Sequence, residues 1–352
     1  MKINKKAKHF AAIVVAFAAV AVACMEIKSI NIDQPQPDGT MAPTIQAGET
    51  ATFVLGCELN ANADVPEGRK LIVGMLAPRD WNIAKNCTMS AQASAGLDPE
   101  VIHEMKVIPN STQPRNMPGR TWPEALMERF GLGPNRYNDM EWVAWEAVEA
   151  VPITNGDKFV YDVTIKCKTG ASNLKTCLGF VINHNDDGLS QDDKHFKYAF
   201  SDLFTVHGGE GEEIDYTKVR FNSVIPSRAL QNDLVTFTFN GDAFDNDLIE
   251  SNQDIYFRGT AVTQEGNRYT GEPKLMPREN TFTHIYNCTL WPMKYFRDVL
   301  PEGETLIAIE YEYTNADGSI KLNKLEEEII SGGTPSDELQ ENPRYRFNFR
   351  CD

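Results

Sequence analysis

Phe159-Val160-Tyr161-Asp162-Val163-Thr164-Ile165-Lys166-Cys167 decides the fold class. Every odd position is aromatic, aliphatic or cysteine, and three of the four even positions are polar. That is the period of a strand with one buried face. Working outward, residues 49–59 put Ala51, Phe53, Leu55 and Cys57 on one face, and residues 71–76 form a continuous apolar run suited to a central strand. Residues 178–182 follow a turn at 168–175, and 198–206 alternate again. Further strands are predicted at 234–239, 254–263, 281–291, 305–314 and 345–349, with Asn315-Ala316-Asp317-Gly318 as a tight turn returning through 319–322. Short strands punctuated by proline and glycine, with few helices, predict an all-β chain of two β-sandwich domains, the first of immunoglobulin-like type.

The least compact stretch is His207-Gly-Gly-Glu-Gly-Glu-Glu213. Glycine-rich and acidic, it predicts a linker at 208–216 between a first domain at 24–207 and a second at 217–352. Residues 96–139 are long, rich in proline and asparagine, and poor in strand signal, and so read as an insertion in the first domain. Within it Thr121 can cap a short helix, Glu124 can bond back to the cap, and Gly131 can end it.

The amino terminus predicts a compartment. Lys2, Lys5, Lys6 and Lys8 precede an apolar run from Phe10 to Val22, then Ala21-Val22-Ala23-Cys24. The run is shorter than the ~20 residues of a membrane-spanning helix, and small residues before a cysteine suit lipoprotein processing. Residues 1–23 are therefore expected to be a signal peptide and Cys24 the lipidation site of an outer-membrane protein exposed at the cell surface. The whole chain carries 34 basic and 50 acidic residues. Loss of the four leader lysines leaves 30 against 50, a mature charge of −20. Such a surface repels phosphate backbones, and no basic stripe interleaves with aromatics, so nucleic acid is excluded as a partner.

Six further cysteines are an even set in an exported chain: Cys57, Cys87, Cys167, Cys177, Cys288 and Cys351. No two form a C-x-x-C pair. Cys288 and Cys351, alone beyond the linker and each on an apolar strand face, are expected to pair. In the first domain Cys57–Cys167 would join facing sheets, and Cys167–Cys177 would staple a hairpin; both stay open.

The second domain carries Asp233-Leu-Val-Thr-Phe-Thr-Phe-Asn240, Asp254-Ile-Tyr-Phe257, Trp291-Pro-Met-Lys-Tyr-Phe296, Leu300-Pro-Glu-Gly303 and the segment 311–319, in that order. This ordered set resembles the β-sandwich modules of surface lipoproteins encoded in Bacteroidota polysaccharide-utilisation loci, the starch-binding outer-membrane proteins among them. Ile30-Asn-Ile32 and Gly48-Glu-Thr50, opening the first domain, are similar to the same group. The resemblance covers the C-terminal 120 residues or so most closely. It implies a C-terminal sandwich like a carbohydrate-binding module, polysaccharide or oligosaccharide as ligand, and the proteins of an outer-membrane uptake complex as partners. Glu310-Tyr311-Glu312-Tyr313 departs from the apolar or arginine-containing run usual there, so no particular ligand carries over.

A glycan binder needs flat aromatic rings on a rigid surface, since a pyranose stacks its C–H face on them beside groups that bond its hydroxyls. Trp122 in the insertion, with Tyr137 and Trp142 near it, and Trp291 with Tyr295 are the candidates. Trp142 and Trp145 have opposite parity, so one strand would send them to opposite faces. Trp81 reads as core. Asn183-His-Asn185-Asp-Asp187-Gly188 opens like a calcium loop, but position twelve is Lys194 instead of glutamate, which leaves only a weak Ca2+ candidate in Asn183, Asn185 and Asp187. Asp242, Asp245 and Asp247 form a second acidic loop, and His184 could meet His195 across a hairpin without a third ligand. No G-x-S-x-G, P-loop or G-x-G-x-x-G occurs. A non-catalytic protein without cofactor is expected, binding a neutral glycan or, alternatively, another protein as a surface adhesin or structural subunit.

Overall fold

A computed structural model describes residues 24–186, 188–189 and 196–350. Residues 1–23, read above as a signal peptide, and Asp187, Lys194, His195 and Cys351 lie outside them. The chain is all-β and divides into two compact β-sandwich units after Thr217.

The first unit is built on an eleven-stranded sheet. Its order runs Cys24–Asn31, Thr50–Asn60, Lys158–Lys168, Cys87–Ala95, Ile102–Val107, Met140–Ala147, Leu71–Pro78, Ser172–His184, Lys197–His207 and Thr44–Gln46. Lys158–Lys168 buries Phe159, Tyr161, Val163, Ile165 and Cys167, and its neighbour Thr50–Asn60 buries Ala51, Phe53, Leu55, Cys57 and Leu59. The alternation in sequence is thus the alternation in burial. Leu71–Pro78 is instead buried on both faces. Its second face lies under the insertion helix Trp122–Phe130, where the Leu126 side chain occupies the space a Cβ on Gly74 would need, 2.9 Å away.

Three expectations are corrected here. The glycine-rich stretch placed in the linker 208–216 contains the strand Glu210–Asp215, which runs parallel to Ser172–His184, and the division falls after Thr217. The insertion 96–139 contributes the strand Ile102–Val107, which joins Cys87–Ala95 to Met140–Ala147. Neither first-domain pairing expected for Cys167 forms. Cys167 is bonded to Cys87, its direct opposite across antiparallel strands, while Cys57 and Cys177 are buried free thiols. A cross-strand pair needs adjacency only, which register supplies and sequence separation hides. Cys288 is likewise a buried free thiol, and its expected partner Cys351 lies outside the described residues.

In the second unit a three-stranded sheet, Asn222–Ile225, Val235–Asn240 and Ile285–Leu290, faces a six-stranded one centred on Tyr256–Thr263 and Leu306–Thr314. Aromatic rings fill the space between. Phe237 meets Tyr311 edge-on at 4.7 Å, and Tyr311 stacks on Phe257 at 5.4 Å. The Tyr311 and Tyr313 hydroxyls both donate to the Asn222 Oδ1, at 3.1 and 2.5 Å, so the buried phenols are satisfied.

Candidate glycan-binding face

Alternation along Val235–Asn240 turns Val235, Phe237 and Phe239 inward and leaves Leu234, Thr236 and Thr238 outward. On the antiparallel neighbour, Cys288 and Leu290 point inward, so Asn287, Thr289 and Trp291 face out. The register pairs Val235 with Leu290, Thr236 with Thr289 and Thr238 with Asn287. Residues opposite one another share a face. Leu234 and Trp291 flank the last register pair, Val235 with Leu290, at 65% and 49% exposure. The Thr236 and Thr289 hydroxyls are 2.8 Å apart, and Thr238 Oγ1 donates to Asn287 Oδ1 at 2.7 Å. Ser223, on the third strand, is opposite Thr238. Lys274 Nζ donates to the Thr289 carbonyl at 3.1 Å.

The Trp291 backbone is held in place. Its carbonyl accepts from Lys294 and Tyr295 in the short helix Pro292–Tyr295, and Pro292 fixes the helix start. An exposed indole ring thus stands at the end of a ladder of outward-facing hydroxyl and amide groups. Stacking area and hydrogen-bonding groups sit side by side, as a sugar ring requires.

The remaining aromatic candidates are not part of this face. Tyr295 turns away, packing on Phe257 and Phe296, and its hydroxyl donates to the Glu272 carbonyl. Burial pushes its phenol up to about 12. Trp122, Tyr137 and Trp142 are 3%, 8% and 2% exposed, so the insertion offers no tryptophan platform. Trp142 Nε1 donates to the Gly131 carbonyl at 2.9 Å, clasping the end of the insertion helix. Trp142 and Trp145, sent to opposite faces by their parity, are both buried because the helix covers the second face. Trp81 is buried core. Two exposed rings had no reading in the sequence. Tyr198, half exposed, packs on Phe130 at 4.6 Å. Phe282, 93% exposed, tips a loop in which Asn280 Oδ1 accepts from the backbone of Phe282 and Thr283.

On the opposite sheet, Glu310 and Glu312 face outward but are occupied. Glu310 is buried between Arg268 and Arg346, and Glu312 pairs with Arg344. Of the four insertion arginines, Arg115 donates to the Asp186 carbonyl, Arg120 pairs with Glu128, Arg129 lies over the Phe196 ring, and Arg136 is exposed; Arg120 and Arg129 line one pocket together with Glu128.

The calcium candidates are spent on backbone. Asn183 donates to the Gly188 carbonyl and accepts from His184, Asn185 accepts from Lys70, and Asp187 lies outside the described residues. Asp242 accepts from the backbone and the ring of His284, which hold its carboxyl below the usual range. Among the described residues no three His, Cys, Asp or Glu side chains come together as a metal site. No helix of the described residues is long and apolar enough to cross a membrane.

A sequence family described as "Domain of unknown function (DUF4961)" matches residues 25–220, and one described as "Domain of unknown function (DUF8578)" matches residues 222–322. The junction between them falls beside the structural division after Thr217. No curated protein sequence matches the chain. Among solved structures, the C-terminal domain of the Streptococcus pyogenes antigen I/II-family protein AspA shares 12% identity, with 87% of this chain and 98% of that one covered and a TM-score of 0.26. The Escherichia coli adhesin FdeC shares 10% identity, with 95% and 65% covered and a TM-score of 0.17. Scores this low carry no argument about function.

Proposed function

The chain belongs to the family described as "Domain of unknown function (DUF4961)", and we propose that it is a non-catalytic, lipid-anchored surface protein of a polysaccharide-uptake system that binds a neutral glucan-like polymer. The observation that carries this reading is the Trp291 ring, half exposed at the end of a strand whose outward face also carries the paired Thr236 and Thr289 hydroxyls. A mature charge of −20 disfavours anionic polymers, and where Arg120 and Arg129 line one pocket Glu128 pairs with Arg120. Attachment through an acylated Cys24 at the outer membrane, with uptake proteins as partners, belongs to the same proposal.

Calorimetry with soluble glucans tests it. Stacking of a few sugars must also offset lost translational freedom, so affinity in the micromolar range or weaker is expected. Trp291→Ala should weaken binding at least about tenfold, on the order of 1.4 kcal/mol, with the fold unchanged. No heat with any glucan, or binding indifferent to Trp291→Ala, rejects the reading. A second reading, a protein-binding surface subunit, is favoured by Phe282, which a structured loop holds out in solvent. Loss of partner capture on Phe282→Ser, with glucan binding intact, would support it.

A further inference from the structure

The outward face of the larger sheet in the second unit can be followed row by row in its register. Thr260 lies between Thr270 and Glu310, and Glu310 in turn lies opposite Arg346. The next row sets Arg258 opposite Glu312, and the one after it sets Tyr256 opposite Thr314, which faces Lys321. Arg268, opposite Val262, flanks the first row. Residues opposite one another share a face. Arg344 joins them by pairing with Glu312 and donating to Thr260 Oγ1 at 2.8 Å. Four arginines and one lysine thus meet two carboxylates, on a chain that is acidic as a whole.

The two signs are layered. Glu310 is 1% exposed, whereas the Arg268 and Arg346 side chains paired with it are 54% and 37% exposed. Carboxylate lies against the sheet and guanidinium lies over it, so solvent meets arginine. Arg258 is fixed as well, by bonds of 2.8 Å from Nε to Thr314 Oγ1 and from Nη2 to the Ala316 carbonyl. A guanidinium carries five donors in a rigid plane, and these bonds leave some of each group's donors for a ligand. Because they are already oriented, little freedom is lost when they bind.

Such forks match a carboxylate with two parallel hydrogen bonds. Thr270 and Asn348, both exposed, bring a hydroxyl and an amide to the same face, and the half-buried Tyr256 brings a ring of the kind a pyranose stacks on. An acidic peptide would use the charge but neither the hydroxyl nor the ring. The mature charge of −20 does not forbid an anion here. Exposed charges lose sight of one another beyond ~8 Å at physiological salt, so the layer in contact decides. The acidic helix Asp337–Glu341 ends at Asn342, whose amide donates to Glu310, and so acid borders the layer on that side.

We propose that this face is a second glycan site, one that takes a polysaccharide carrying carboxylates. Arg258 and Arg344, which flank Glu312, hold the carboxylate of a uronic acid, and a neighbouring sugar lies on Tyr256. The site is on the sheet opposite Trp291 and does not rest on the neutral-glucan reading of that face.

The test titrates trigalacturonate into the full mature chain carrying Cys24→Ser, with triglutamate and a sulfated trisaccharide in parallel arms. Saturable binding of trigalacturonate is expected, weakening as NaCl rises from about 50 mM to about 500 mM. Arg258→Gln and Arg344→Gln should each weaken it at least about tenfold. Arg258→Lys, which keeps the charge and removes the fork, should weaken it about threefold or more with no loss of melting temperature. Trp291→Ala should leave it unchanged, so failure here and failure of the glucan reading can be told apart. No saturable binding of trigalacturonate, or binding that none of the arginine substitutions changes, overturns the proposal. Triglutamate or the sulfated sugar bound as tightly as trigalacturonate overturns it too, since charge alone would then be what the face reads. Binding lost on Trp291→Ala and kept on Arg258→Gln would place acidic sugars on the other sheet and overturn it likewise.

Discussion

The free thiols show how one side chain can set a response of the whole chain to pH. Burial pushes Cys57 up to about 12 and Cys288 up to about 11. An unfolded thiol ionises near ~8.5. Between that value and the raised ones the folded chain keeps protons that the unfolded chain sheds. The contribution is therefore full below the unfolded value and is lost as pH rises toward 11 for Cys288 and 12 for Cys57. Melting temperatures followed from about pH 8 to about pH 11 should fall, and the fall should be shallower in a Cys57→Ala, Cys288→Ala double variant. An identical slope in both proteins would mean that other groups govern alkaline stability. In the native state both thiols should also resist alkylation, because the thiolate is the reactive form. Among the aromatic candidates, only Trp291 kept its place at the surface. Its position at a strand end before Pro292 was local and could be read, whereas the burial of Trp122 and Trp142 depends on a helix docking onto a distant strand.

At the scale of elements, the insertion helix is the clearest local success of the sequence. Thr121 accepts from the Glu124 backbone, Glu124 reaches back to the Thr121 N–H, and Gly131 follows the last turn with φ 59°. Thr121→Ala should cost about 1 kcal/mol. Leu126→Ala should cost more, about 2–5 kcal/mol, since it opens a void above Gly74. Urea unfolding of the two variants checks the order, and the reverse order would mean that the cap, not the packed face, holds the helix down. Among the strands that escaped the sequence, two did so for a definable reason. Cys87–Ala95 alternates correctly but presents alanine at Ala91 and Ala93, a weak strand former, and Ile102–Val107 buries only Met105. Both become strands because long alternating neighbours offer them an edge. The glycine-rich Glu210–Asp215 is the same case, a strand made by its partner Ser172–His184.

At the scale of the molecule, two cores separate the consequences of a single bond. The Cys87–Cys167 disulfide lies wholly in the first unit and spans 80 residues. Loops of this size stabilise by about 4.5 kcal/mol in the chain-entropy picture, and measured effects are commonly smaller. Reduction, or a Cys87→Ala, Cys167→Ala double variant, should lower the stability of the first unit by about 2–4 kcal/mol and leave the second unmoved. The tryptophans report the units separately, since Trp81, Trp122, Trp142 and Trp145 belong to the first and Trp291 to the second. Equal shifts in a Trp291-only variant and in a Trp291→Phe variant would show that the units unfold as one body.

The strand Cys24–Asn31 is paired from its first residue, Cys24 lying opposite Asn60. Chain that is already hydrogen-bonded into a sheet has no slack. A flexible leash of ten residues would let a head group and its cargo drift ~16–19 Å apart. An acyl group on Cys24 would leave no such leash, and the protein would stand on the bilayer like a stud, not float above it like a kite. Polymer would then be caught only as far out as the body itself extends, and every encounter beyond that would depend on the whole protein sliding sideways in its leaflet.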